Sequence, residues 1–321
     1  MLDKYKIKER LNLINKRINL IKRIKSKSIQ YIFRKTKISS GKRLRGLLVV
    51  LTAELNNSKD TEKAINTAVA MELLHHATLI HDDIVDNSEK RRGIDTLNRS
   101  IGYEFSVLTG DYIFYYVTDL LLKNNDWGLL KLFVDATRGI CQGEIDEVYN
   151  KYNINLGING YLNIIRNKTA LLIKTSVKAG AYVAGIASNA VKALENYGEN
   201  LGLAFQIKDD ILDITGDEKK LGKRIGNDIR EGKVTLPFII AMKNAGQTKS
   251  SAIKKKFLTR KNHTDEIIDF IMKYNGIEDA EKMAAGYINK AKGFLGKAKV
   301  KYEAKKEVLE IMADYVMERN Y

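Results

Sequence analysis

The chain has 321 residues and a formal net charge of +16, with one proline and one cysteine. A lone cysteine, Cys141, excludes a disulfide framework and any multi-cysteine metal site and points to a reducing compartment. No apolar run is long enough to span a bilayer, so a soluble, cytoplasmic protein is expected. The charge is uneven: residues 1–45 hold 16 Lys and Arg against Asp3 and Glu9, which places +14 in this segment. An acidic membrane surface, a phosphorylated substrate or plain solvent would each suit that field. Nucleic acid is the weakest partner, because only Tyr5, Tyr31 and Phe33 accompany the cations and no binding-motif spacing appears.

One proline among many Leu, Ile, Ala, Lys and Glu residues suits long uninterrupted helices, so the expected fold class is all-α. No Pro/Gly/Ser-rich linker divides the chain, and residues 1–321 read as a single domain. Leu11, Ile14, Ile18 and Ile21 recur at helical spacing between cations, which makes residues 1–25 a basic amphipathic helix that covers the core or lies on a membrane. Helices follow over about 42–55 and 61–86, then 103–123, 127–149, 160–184, 189–214, 235–245, 263–275 and 278 to the end. The stretch "GDEKKLGKRIGNDIREGKVTLP", 216–237, has four glycines and many charges and reads as a long functional loop. Pro237 belongs in the first turn of the next helix, where a missing N–H is harmless.

The chain carries "DDIVD" at 82–86 and "DDILD" at 209–213, both behind apolar runs. One DDxxD in a chain of this length is expected by chance on the order of 5% of the time, and two far less often. On a helix Asp82 aligns with Asp86, and Asp209 with Asp213, so each pair offers two carboxylates one turn apart. Buried carboxylates need compensation. Oxygen ligands without Cys or closely spaced His favour Mg²⁺, which is commonly shared with substrate phosphates. A solvated acidic patch explains either motif alone but not the duplication, and a glycoside-hydrolysing dyad needs two acids rather than two triplets. Lys42, Arg43 and Arg45 in "SSGKRLRG", then Arg91, Arg92, Lys168, Lys223 and Lys233, supply the cations that a diphosphate requires.

With "GKRLRG", "ELLHHATLIHDDIVDNSEKRRG", "VLTGDYIF", "QGE", "NKTALL", "FQIKDDILDITGD", "LGKRIGNDIREGKVTLP" and "ADYVMERNY", the chain resembles the trans-type polyprenyl (isoprenyl) diphosphate synthases, most of all their medium- and long-chain members. The resemblance implies an all-α bundle of long antiparallel helices around a central cavity, usually a homodimer. It makes Asp82, Asp83, Asp86, Asp209, Asp210, Asp213 and Lys168 catalytic. Asp82, Asp83, Asp86, Asp209 and Asp213 would hold Mg²⁺, three ions per site with substrate bound. Lys42, Arg45, His75 and Arg92 would bind isopentenyl diphosphate. Arg91, Lys168, Thr169, Gln206, Lys223 and Lys233 would grip the allylic diphosphate, with Gln142 a weaker candidate. Ser40 and Gly46 stand where the family often has glycine and proline, with little effect expected. Arg224 replaces a residue that is commonly proline or small.

Ala77 and Thr78 lie one turn before Asp82, on the side where the growing tail would run. In the family, aromatic residues here resemble a floor that stops growth; alanine and threonine leave the channel open unless another helix builds the floor. Small Gly139 is permissive too, and Phe114, Tyr115 and Tyr116 would serve as a deeper floor or as plain core. A medium- or long-chain product is therefore expected, with geranylgeranyl diphosphate as the alternative. A class I terpene cyclase fits less well, since its second metal motif usually mixes Asn, Ser or Thr with Glu. A basic membrane- or nucleic-acid-binding module leaves the buried acids unexplained.

Overall fold

In the computed structural model, residues 6–36, 41–56, 61–91, 93–122, 126–217, 224–259, 261 and 263–319 are described. They are almost entirely helical, and the β-structure among them is one two-stranded hairpin. The described chain gathers into two compact units. The first takes Met1–Thr137, Leu172–Gly198 and Phe294–Ile311, and the second Arg138–Leu171, Glu199–Gly293 and Met312–Tyr321.

In the first unit α1 (Ile7–Ile18) buries Ile7, Ile14 and Ile18, so the basic amphipathic helix covers the core. It ends at Ile18 and passes into a 3-10 turn, Asn19–Arg23, followed by α2 (Lys27–Lys35), which starts on a Ser26 cap. The next helix, α3 (Leu44–Glu54), is buried nearly throughout and packs on α4 (Thr61–Val85), along which α6 (Tyr103–Leu122) also lies. Asn87, at φ 51°, closes α4 with a left-handed residue, and the Ser88 N–H returns to the Asp83 carbonyl at 2.8 Å. A hairpin, β1 (Lys90–Arg91) with β2 (Ile94–Asp95), then pairs Lys90 with Asp95 and Arg91 with Ile94 and leads into the short α5 (Leu97–Ile101).

The second unit is built on Ile207, Ile211, Ile214, Leu236, Phe238 and Ile271. It holds most of α10 (Ser188–Thr215) and the C-terminal half of α7 (Trp127–Tyr149). The stretch expected as one helix over 160–184 is instead α8 (Ile158–Ile165), a π-turn Arg166–Ala170 and α9 (Leu171–Val183). The expected loop 216–237 contains a short helix, Asn227–Arg230, and Pro237 does sit in the first turn of the following helix, Leu236–Leu258. The C-terminal helix expected from 278 onward breaks after Lys297 and resumes at Lys306. The break holds the Tyr302 N–H on the Leu55 carbonyl, a tertiary bond of the first unit.

Candidate active site

The first aspartate motif closes α4. Carboxylates at a helix C-terminus face the negative end of the helix dipole, so Asp82, Asp83 and Asp86 need cations. The hairpin folds back to supply one: Arg91 Nε donates to Asp83 Oδ1 at 2.7 Å. Burial still raises the Asp83 pKa despite Arg91. Asp82 and Asp86 are partly exposed, one turn apart. Arg92 and Lys223 lie outside the described residues.

Upstream on α4, Glu72 clamps the start of α3. Its carboxylate accepts the Gly46 N–H at 2.7 Å and pairs with Arg43 at 3.6 Å, both side chains about 5% exposed or less. Arg43 occupies the left-handed region at φ 53° and caps α3, held also by its bond to Asn15 at 2.9 Å. This sets Lys42, exposed, and Arg45, buried, at the start of α3, the segment bonded to α4 one turn before His75. At position 46 a proline would have no N–H for Glu72, so glycine here has a specific consequence. Ala77 is fully buried, and Thr78 turns its hydroxyl onto the His75 carbonyl at 2.8 Å. Next to them His76 is half-buried, its Nε2 out of reach of solvent and without a hydrogen-bond partner among the described residues. Burial, then Arg43 and Arg91, lowers its pKa to about 4.

The second unit gathers more of the expected residues. Lys168 and Thr169 sit on the π-turn, an irregularity frequent at functional sites. Two glycines admit it. A Cβ at Gly143 on α7 would fall 2.4 Å from the Lys168 backbone nitrogen, and one at Gly202 on α10 would fall 2.4 Å from Ala170 Cα. From the π-turn a bonded chain runs into the second aspartate motif. Thr169 donates to Gln206 Oε1 at 2.7 Å, Gln206 to Asp210 Oδ1 at 2.8 Å, and Tyr161 to Asp210 Oδ2 at 2.6 Å. Burial pushes the Asp210 pKa up to about 7 against these two donors. Asp209 accepts Arg319 Nη1 at 2.9 Å, the guanidinium lying over the Phe205 ring. Asp213 accepts the Asp228 N–H at 3.0 Å and so anchors the short helix beyond the loop.

Lysines and acids are interleaved here. Lys168 Nζ lies 2.8 Å from Glu144 Oε2 and 2.6 Å from Glu147 Oε2, and Lys233 Nζ lies 2.7 Å from Glu231 Oε2 and 3.5 Å from Glu147 Oε2. Gln142 bonds Asp146 on its own exposed helix face. Sequence reasoning missed Glu72, Glu144, Glu147, Glu231 and Arg319. The signal for Glu72 was present, since it is the one acid between Lys63 and His81 in an apolar helix.

Among the described residues no group of three or more His, Cys, Asp or Glu side chains is placed to cage a metal by itself. Oxygen donors in pairs still fit Mg²⁺, which keeps waters and takes one or two carboxylates plus substrate phosphate. The Asp213 carboxylate, which accepts the Asp228 N–H on Oδ2, is one such oxygen donor.

The polyprenyl synthetase family model matches residues 25–274. The chain is 32% identical over 293 residues to a geranylfarnesyl diphosphate synthase of Aeropyrum pernix, covering 88% of this chain and 91% of that one. It is 34% identical over 253 residues to an octaprenyl diphosphate synthase of Haemophilus influenzae, covering 78% and 77% respectively. A crystal structure of a polyprenyl synthase from Caulobacter crescentus, complexed with calcium and isoprenyl diphosphate, superposes with a TM-score of 0.89 at 32% identity, covering 100% of this chain and 96% of that one. Relatives also include a geranylgeranyl diphosphate synthase of Sulfolobus acidocaldarius, 33% identical over 291 residues, covering 88% of each chain. The all-α fold, the two aspartate motifs and these likenesses agree: the chain belongs to the polyprenyl synthetase family, a family of trans-prenyltransferases.

Proposed function

We propose that residues 1–321 act as one Mg²⁺-dependent synthase domain that condenses isopentenyl diphosphate with an allylic diphosphate to give an all-trans medium- or long-chain polyprenyl diphosphate. The observation that carries the reading is the bonded chain Thr169–Gln206–Asp210–Tyr161, beside two lysines that meet on Glu147. Such a constellation suits a polyanion better than a nucleophile. Asp82, Asp83, Asp86, Asp209 and Asp213 would hold Mg²⁺, three ions at the loaded site, which would supply positive charge to the departing diphosphate. Lys168, Lys233, Lys223 and Arg91 add theirs, while Thr169 and Gln206 orient the allylic phosphate oxygens. The allylic C–O bond then breaks with its electron pair leaving on diphosphate. Lys42, Arg45, His75 and Arg92 hold isopentenyl diphosphate so that its double bond attacks the cation, and the released diphosphate accepts the remaining proton. The apolar run of α4 excludes water, which would quench the cation.

The small side chains of Ala77 and Thr78 in place of aromatic residues support a product beyond geranylgeranyl length; geranylgeranyl diphosphate is the alternative. Tyr115, expected as channel floor or core, is instead exposed, and with exposed Leu108 and Trp127 it favours a homodimer. Exposed Leu13, Leu20 and Tyr31 among lysines favour peripheral contact of the N-terminal segment with acidic lipid. Nucleic acid is not a proposed partner. Turnover of both substrates should vanish with EDTA, return with Mg²⁺, and fall by orders of magnitude in Asp82→Ala. Near-normal turnover in that variant would refute the metal assignment.

A further inference from the structure

Resting on the reading that Lys168 and Lys233 grip the allylic diphosphate, we propose that Glu147 is a positioning residue: the resident counter-anion that yields both lysines to the diphosphate and reclaims them when inorganic diphosphate leaves. Two ammonium groups of like charge approach one oxygen, Glu147 Oε2, at 2.6 and 3.5 Å. Their side chains and that of Glu147 are only 13–17% exposed, so water screens this arrangement weakly. Glu144 meets Lys168 and Glu231 meets Lys233, whereas Glu147 reaches both. The backbone under Lys168 is pinned by the close approach of Gly143, so exchange of partners falls to the flexible lysine stems.

Charge arithmetic sets the direction. A diphosphate presents more negative charge and more acceptor oxygens than one carboxylate, so it wins the lysines when it arrives with Mg²⁺. Once it is bound, the Glu147 carboxylate within the same reach repels it. After the allylic bond has broken and the tail has transferred, that repulsion, together with the waiting ion pairs, favours departure of inorganic diphosphate. Glu147 therefore weakens diphosphate binding and speeds turnover.

The test titrates inorganic diphosphate with Mg²⁺ into the full chain by calorimetry. Glu147→Gln should bind it about tenfold tighter, equivalent to about 1.4 kcal/mol. In steady state the same variant should lower both KM for the allylic substrate and kcat, a split that a merely structural defect does not produce. Unchanged or weaker binding overturns the proposal. The double variant Lys168→Met/Lys233→Met should bind diphosphate more weakly, and adding Glu147→Gln to it should give no tightening. Tightening that persists without the lysines overturns partner exchange. Unchanged affinity in the double variant overturns the underlying reading of the lysines, and the exchange with it. Should Glu147→Gln fail to fold, Glu231→Gln, acting on Lys233, should tighten binding about threefold, or about 0.6 kcal/mol, and no change there also overturns the exchange.

Discussion

Replacing Glu72 with alanine tests how the start of α3 is held. The Arg43 and Glu72 side chains are 4% and 5% exposed, with nitrogen and oxygen 3.6 Å apart, and the same carboxylate accepts the Gly46 N–H at 2.7 Å. Truncation leaves a buried guanidinium without its anion and a helix-terminal N–H without its acceptor. Breaking a buried pair by removing one partner costs about 3–5 kcal/mol. At about 2 °C per kcal/mol for a chain of this size, the melting temperature should fall by roughly 6–10 °C. Urea denaturation at constant m-value measures the first figure and a thermal scan the second. Gly46→Pro, which removes that N–H and adds a ring whose Cβ falls 3.0 Å from Glu72 Cγ and 3.1 Å from the Ala68 carbonyl oxygen, should cost at least about 1.5–3 kcal/mol, the worth of a hydrogen bond to a charged acceptor. Because Lys42 and Arg45 ride on this segment, KM for isopentenyl diphosphate should rise in both variants. A cost below about 1 kcal/mol for Glu72→Ala, with KM unchanged, would refute the clamp.

Gly143→Ala places a methyl 2.4 Å from the Lys168 nitrogen and 2.8 Å from Asn167 Cβ; overpacking should cost about 1–3 kcal/mol and displace the π-turn, seen as a fall in kcat/KM for the allylic substrate of at least roughly tenfold. His76 is half-buried, with its Nε2 shielded from solvent and its pKa lowered from 6.5 to about 4. On acidification the unfolded chain takes up this proton first, so stability present above pH 6.5 is lost as pH falls and is gone below about pH 4. His76→Gln should remove that acid lability, flattening the melting profile between pH 7 and pH 5 by about 2 kcal/mol; an unchanged pH slope would show that His76 does not carry it. Ala77→Phe should shorten the product while ionisation of the allylic substrate continues, as read by chromatography of the prenyl alcohols. Unchanged length would show that Ala77 does not line the channel.

Elements governed by local pattern were legible. The stretch read as 61–86 is Thr61–Val85, and the one read as 127–149 is Trp127–Tyr149, because apolar residues recur there without internal proline. The helix expected over 235–245 ends at a true break, since Gly246 sits at φ 75°, and helix continues beyond it to Leu258. The π-turn was not legible. It depends on Gly143 and Gly202, which approach from other helices, and "RNKTA" reads locally as plain helix. In the site, the aspartates announced themselves by duplication and the lysines by charge. Glu72, Glu144 and Glu147 did not, because an isolated acid on a helix looks like solvated surface until its buried partner, Arg43 or Lys168, is seen. The cost of burying a carboxylate holds for a single acid as it does for the triplets, and Glu72 in the apolar run of α4 carries that signal.

Reconstitution of the full chain with isopentenyl diphosphate, an allylic primer and Mg²⁺, with products sized by chromatography, tests the central claim most directly. The two aspartate motifs, the lysines gathered on Glu147 and the small side chain of Ala77 predict all-trans prenyl diphosphates longer than geranylgeranyl, formed with release of inorganic diphosphate. A dominant farnesyl product would contradict the open channel, and cyclic hydrocarbon in place of elongated diphosphates would contradict the account itself.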